Sequence, residues 1–184
     1  MNLKENFQQI LSEQQSILEK TNFEQVVKII PYLKNANSIF VVAAGRSGLA
    51  IRSAAMRLMH FGFNVHVVGE TTTPAITEGD LLLAASGSGT TSSIVKAAEK
   101  AVGAKASVVT FSTTNDSPLA KYSSLVIVIP AAQKQDHGKS ISNQYSGSLF
   151  EQALWLLMDA VFQTIWDEKA TPAEELWKKH ANLE

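Results

Sequence analysis

The chain contains no cysteine, which excludes disulfides, thiolate metal sites and a cysteine nucleophile. It has no apolar run long enough to span a bilayer. Its opening, Met1-Asn2-Leu3-Lys4-Glu5-Asn6, lacks the apolar core of a signal peptide, so a cytoplasmic location is expected. Neither sign of charge is concentrated: 16 Lys and Arg stand against 17 Asp and Glu, for a formal net charge of −1. With no basic cluster, there is no electrostatic footprint for nucleic acid or for an anionic membrane. The four histidines offer no pair at metal-ligand spacing; His66 falls in an apolar strand pattern and His137 in a polar stretch. What is present is 184 residues, 45% of them hydrophobic, enough for a sizeable core in one α/β domain spanning 1–184.

The most informative stretch runs from Gly79 to Val95. Leu81 to Ala85 is a short, continuous apolar block of the kind covered on both faces in a parallel sheet. Ser86-Gly87-Ser88-Gly89-Thr90-Thr91 follows, and then Ile94, Val95, Ala97, Ala98, Ala101 and Val102 recur at helical spacing. A small-residue turn feeding a helix start presents unpaired N–H groups and a positive dipole end, which suits an anion. The pattern matches neither the P-loop nor the dinucleotide fingerprint. Hydroxyls stand where a lysine would be, which suits a small phosphate monoester more than a polyphosphate with its metal. Ordinary capping by Ser and Thr uses the same orphan donors and is the competing reading.

The rest of the chain repeats this plan. Residues 1–35 hold an amphipathic helix (Leu3, Phe7, Ile10, Leu11, Ile17, Leu18) and a second helix opening at the capping box Thr21-Asn22-Phe23-Glu24, kinked or ended near Pro31. This pair is expected to cover the sheet or to contribute to a subunit interface. From residue 36 onward, strands are expected at Ile39–Ala44, Val65–Val68, Leu81–Ala85, Ala106–Phe111 and Leu125–Ile129. Gly62 and Gly103 read as left-handed residues beyond helices, and Ser117-Pro118 as a short helix start. A polar loop at 131–147 is long enough to be functional. A strongly apolar helix (Leu149 to Ile165) follows, and Thr171-Pro172-Ala173-Glu174 opens a last short helix with Pro at its first position. Strands alternating with helices predict a doubly wound, five-stranded parallel sheet, flavodoxin-like, with extra N-terminal helices.

Gly45-Arg46-Ser47-Gly48 is a second glycine and hydroxyl turn between strand and helix. Ligands of open α/β sheets sit outside the carboxyl ends of the strands near the switch point. Two such turns there strengthen the phosphate reading over capping.

Together with Met56-Arg57-Leu58-Met59-His60, Val68-Gly69-Glu70, Thr73-Pro74, Gly147-Ser148-Leu149-Phe150-Glu151 and His180-Ala181-Asn182-Leu183-Glu184, these turns resemble the 6-phospho-3-hexuloisomerases, a family of sugar isomerase (SIS) domain enzymes. The resemblance runs in order along nearly the whole chain. It implies interconversion of D-arabino-3-hexulose 6-phosphate and fructose 6-phosphate, the second step of ribulose monophosphate formaldehyde fixation. It also implies no metal or organic cofactor, a homotetramer with sites near subunit boundaries, and 3-hexulose-6-phosphate synthase as pathway partner. Thr90 departs from the pattern, standing where the family's turn usually carries an acidic residue.

The expected substrate-binding residues are Arg46, Ser47, Ser86, Gly87, Ser88, Gly89, Thr90 and Thr91. The expected catalytic residues are Glu151, as the base that moves a proton between C2 and C3, and His180, to polarise the carbonyl or shuttle a hydroxyl proton. Each has a plainer reading. Ser148-x-x-Glu151 is also a capping box; helix-dipole stabilisation would lower the Glu151 pKa, whereas burial would raise it. His180 sits in a polar tail, and Arg46 reads equally as a surface arginine. His60, at a helix end, complements the dipole. Two rival functions remain: another SIS aldose-ketose phosphate isomerase, or a non-catalytic sugar-phosphate-binding regulatory module.

Overall fold

The computed structural model describes residues 2–134 and 141–183; His137 lies outside them. Five parallel strands, β1 (Ile39–Ala43), β2 (Val65–Val67), β3 (Leu81–Ala85), β4 (Ser107–Ser112) and β5 (Leu125–Val128), pair in the order β2-β1-β3-β4-β5. The strand order reverses between β1 and β3, and their carboxyl ends, Ala43 and Ala85, are in register. The two glycine and hydroxyl turns leave the sheet at these ends, so both open onto the switch-point crevice.

Alternation along β3 divides the interior in two. Leu81, Leu83 and Ala85 enter a core shared with α4 (Gly45–Phe61) and α6 (Ser148–Lys169), while Leu82 and Ala84 enter one shared with α5 (Ser92–Gly103). Both faces of the strand are therefore buried, which is why it reads as an unbroken apolar run. Among the described residues, no helix is long and apolar enough to cross a membrane.

The N-terminal segment forms three helical pieces, α1 (Leu3–Lys20), α2 (Phe23–Val26) and α3 (Ile29–Asn35). Pro31 has no N–H to return to the Val27 carbonyl, and the chain breaks just before it into a tighter turn from Ile30 N–H to Val27 (3.1 Å). Asn22 rather than Thr21 caps α2, because the Thr21 hydroxyl is engaged with the Ile17 carbonyl of α1 at 2.7 Å. α1 packs on α6 but buries only Ile17, leaving Leu3, Phe7, Leu11 and Leu18 exposed.

Other element ends also shift from expectation. α5 includes Gly103 as its last residue, and the left-handed conformation falls on Lys105 (φ 62°), as Ala106 N–H closes back onto Ala101 at 2.9 Å. Ser117-Pro118 opens a 3-10 turn over Ala120–Tyr122 instead of an α-helix, with Ser117 Oγ accepting from Ala120 N–H at 3.2 Å. Pro172, expected inside α7 (Ala173–Trp177), is its cap residue, and the carbonyl of Thr171 accepts from the Trp166 indole. Gly62 takes the left-handed position after α4 (φ 103°) as the sequence suggests.

Candidate functional site

Both helices that start at the switch point are uncapped by any side chain among the described residues. Gly45, Arg46, Ser47 and Gly48 form the first turn of α4, not a turn ahead of it. Gly45 enters this helix at φ 59°, and Gly48 brings the helix so close to β1 that a Cβ there would sit 3.2 Å from the Ala43 carbonyl oxygen. At α5, Thr91 is the cap residue by backbone, but its hydroxyl lies 3.0 Å from Ser86 Oγ and does not turn back to the helix. Capping therefore leaves the orphan N–H groups of both helices uncommitted to side chains, and their positive dipole ends converge on one cleft.

The turn between β3 and α5 is held from behind. Ser112 Oγ and Thr113 Oγ1 donate to the Gly87 carbonyl at 3.0 and 2.8 Å, and Leu119 N–H donates to the Gly89 carbonyl at 3.0 Å. Its outer carbonyls are thus satisfied by protein, leaving Ser86, Gly87 and Ser88 to line a cleft of about 200 Å³ with Ala44, Gly45, Ser47, Thr91, Lys134, Gly147 and Phe150. Larger clefts lie elsewhere, an apolar one between α1 and α6 and a shallow one at the amino edge of β3 to β5. Neither gathers helix N-termini with hydroxyls.

Three residues expected to bind substrate, Arg46, Gly89 and Thr90, are not among those that line this cleft. Gly89, at φ 65°, has no room for a side chain, since a Cβ would lie 2.2 Å from Ser117 Oγ. Thr90 is exposed and pairs with Ser88 Oγ at 2.8 Å.

Glu151 is the fourth residue of α6. The cap residue of α6 is Gly147, at φ 87° with no side-chain cap, so Ser148 and Glu151 do not form a capping box. Ser148 instead accepts from Arg46 Nη1 at 3.3 Å. The Glu151 side chain is only 7% exposed, and its Oε2 lies 3.2 Å from Arg46 Nε but accepts no hydrogen bond from any described residue. Burial pushes the carboxyl above its ordinary 4.5, while the charges of Arg46 and Lys134 pull the other way. Burial outweighs these two charges, so the net movement is upward, in the direction a general base near neutrality requires.

Lys134 was not singled out by the sequence. It lines the cleft beside Gly147, where an added Cβ would come within 3.1 Å of its Cε. Its only sequence signal was membership of the polar loop at 131–147.

His180 is not brought to this cleft within the chain. Its ring stacks on His60 (centroids 4.1 Å apart) and on Trp177 (4.4 Å). His60 is near the end of α4, some 15 residues beyond Gly45, which at 1.5 Å per residue is about 22 Å from the helix start. No group of three or more His, Asp or Glu among the described residues is placed to hold a metal ion.

Residues 32–155 match the SIS domain family. The chain is 58% identical over 165 residues to a 3-hexulose-6-phosphate isomerase of Mycobacterium gastri, covering 90% of this chain and 83% of that one. It is 38% identical over 185 residues, spanning both chains completely, to a 3-hexulose-6-phosphate isomerase of Bacillus subtilis. The crystal structure of a Methanococcus jannaschii protein, inferred to have the molecular function of a 3-hexulose-6-phosphate isomerase, superposes with a TM-score of 0.84 at 30% identity, covering 98% of this chain and 99% of that one. An uncapped pair of helix starts, a hydroxyl-lined switch-point cleft and these likenesses lead to one conclusion: the chain belongs to the SIS domain family.

Proposed function

We propose that this chain, as a single SIS domain over 1–184, interconverts D-arabino-3-hexulose 6-phosphate and fructose 6-phosphate. The observation that carries this reading is a buried Glu151 carboxylate, with an oxygen that accepts no hydrogen bond from the described residues, beside a cleft built from two helix N-termini. Ser47, Ser86, Ser88 and Thr91, with the N–H groups of Gly87 and of the helix starts, hold the phosphate. Arg46 and Lys134 meet substrate oxygens on the Glu151 side. Gly89 shapes the turn, and Thr90 supports Ser88.

Glu151 removes the proton from C2 of the 3-ketose, the C3 carbonyl becomes an enediolate oxygen, and Glu151 then delivers a proton to C3, one that can exchange with solvent while it is on the carboxyl. The hydroxyl proton on O2 passes to O3, so the carbonyl ends at C2 with no net change in composition. No cofactor enters these steps. His180 can take part only at the cleft of a second subunit, since its own is about 22 Å away. This geometry and the exposed stripe of α1 support a homo-oligomer, which we propose is a tetramer. The chain would work in the cytoplasm after 3-hexulose-6-phosphate synthase, in formaldehyde fixation. Chelator-treated protein incubated with fructose 6-phosphate in deuterated water should yield the 3-ketose and exchange label into the sugar. Binding without exchange or isomerisation would reject the enzyme.

A further inference from the structure

Glu13 lies in the middle of α1, a helix that buries only one residue, yet it accepts hydrogen bonds from the segment that leads into the Glu151 helix. Ser142 Oγ and Gln144 Nε2 donate to its Oε2 at 2.6 and 2.9 Å, and Asn143 N–H donates to its Oε1 at 2.9 Å. Gln9 adds a fourth donor at 3.2 Å from within α1. The connection continues into α6: Gln144 Oε1 accepts from Gln152 Nε2 at 2.9 Å, and Gln152 Oε1 accepts from Gln14 Nε2 at 2.8 Å. The network thus leaves α1 at Glu13, crosses residues 142–144, reaches the neighbour of Glu151 and returns to α1 at Gln14.

We propose that Glu13 is a positioning residue for Glu151, fixing from α1 the approach segment and first turn of the helix that carries the base. Residues 142–144 have no regular secondary structure, so their placement depends on such side-chain bonds. Hydrogen bonds to an ionised carboxylate are roughly twice as strong as neutral ones. Gln144 and Gln152 bracket Gly147 and Glu151, so the segment between them is held at both ends. Burial works against ionisation of Glu13, but the donors from Ser142, Gln144, Asn143 and Gln9 outweigh it and hold its pKa below the ordinary 4.5, so the carboxylate is charged at neutral pH. The phosphate-binding turns of α4 and α5 make none of these contacts. Loss of the clamp should therefore displace the base without emptying the phosphate site.

The inference rests on the isomerase reading for its kinetic consequence alone, so the test has two arms. Glu13→Ala keeps a good helix former and removes every acceptor; Gln144→Ala removes one donor to Glu13 together with the bridge to Gln152, and leaves the Ser142 and Asn143 contacts in place. In both, kcat should fall roughly 10- to 100-fold, the scale of a misplacement near 1 Å, with KM within about twofold because phosphate contacts persist. Glu13→Gln, whose amide can join a reversed row of amides, should recover part of the kcat loss. Hydrogen exchange of amides 142–152 should quicken by about tenfold or more in Glu13→Ala, with strand amides unchanged. Wild-type kcat in Glu13→Ala, or unaltered exchange over 142–152, would overturn the clamp. An inactive wild type would reject the isomerase instead, leaving the exchange measurement to decide the clamp.

Discussion

Arg46 Nε stands 3.2 Å from Glu151 Oε2, yet that oxygen accepts no hydrogen bond from any described residue. The two charges attract without the donor being aligned, so the carboxylate is partly neutralised by field while its lone pairs remain available. Burial raises its proton affinity, and Arg46 with Lys134 limits the rise. A base is useful when ionised at working pH but still able to bind a proton, and these opposed influences move it toward that condition.

Glu151→Gln should lower kcat by about 10² to 10⁴ while fructose 6-phosphate still binds. Because Glu151 makes no capping box, stability should not suffer. Its folded pKa is raised, so the fold favours the neutral form; that advantage is full below pH 4.5 and is lost as pH rises through the folded value. At neutral pH the wild type carries the cost of a buried charge that the amide avoids. Tm measured at pH 7.5 should be equal to or above wild type, and a clear fall would mean that the carboxylate has a structural role.

Removing a positive charge from beside the base should move its titration. Since Arg46 and Lys134 both hold the Glu151 pKa down, Arg46→Met and Lys134→Met should each shift the acid limb of the kcat/KM profile to higher pH. The wild-type limb should itself lie above 4.5, the ordinary value. A limb that stays put in both variants would assign it to another group.

Thr91→Val removes a hydroxyl that bridges to Ser86 and faces the cleft while keeping the shape of the side chain. Fructose 6-phosphate affinity should fall by roughly 1 to 3 kcal/mol, the range for a hydrogen bond to a charged group. Calorimetry at constant ionic strength reads it, and Ser88→Ala should behave alike. Unchanged affinity in both would remove these hydroxyls from the phosphate site.

Gly89→Ala should destabilise the turn for two reasons. The residue is left-handed at φ 65°, and its new Cβ would lie 2.2 Å from Ser117 Oγ and 2.5 Å from Ser117 Cβ, neither the end of a long flexible side chain. Overpacking of this kind costs about 1 to 3 kcal/mol, with a further 1 to 2 for the backbone. Thermal melts of Gly89→Ala and of the double variant with Ser117→Gly would separate the terms, the second substitution recovering only the steric part.

The strands were legible because β3 and most of β1 and β4 are buried on both faces, while the edge strand β5 alternates buried and half-buried residues but is apolar throughout. The cleft of hydroxyls and helix starts was legible because both act through local backbone. Caps were less so: Thr21 and Asn22 are equally able, and only the engagement of Thr21 with Ile17 chooses between them. Ser148-x-x-Glu151 has the spacing of a box, but Gly147 ends up as the cap and the carboxylate turns to Arg46. Glu13 carried no signal, since its partner Ser142 is 129 residues away. His180 matched a family tail, and the tail folds onto the far end of α4.

That tail contact leads to a pH prediction. His60 is buried, and its Nδ1 has no hydrogen-bond partner among the described residues. Burial first, then the charges of His180 and Arg57, hold its pKa below the ordinary 6.5. The folded chain therefore binds this proton less readily than the unfolded one. Stability from keeping His60 neutral is complete above pH 6.5 and is lost as pH falls toward the depressed folded value. Between these limits Tm should decline with acidity, and protonation should also loosen the stack of His60 on His180 through repulsion with Arg57. His60→Phe keeps a ring for His180 to stack on but cannot titrate, so its Tm should vary less with pH over that window. Melts from pH 5 to 8, read beside the fluorescence of Trp177 in the same stack, provide the check. If wild type and His60→Phe lose stability in parallel as pH falls, another group controls the acid response.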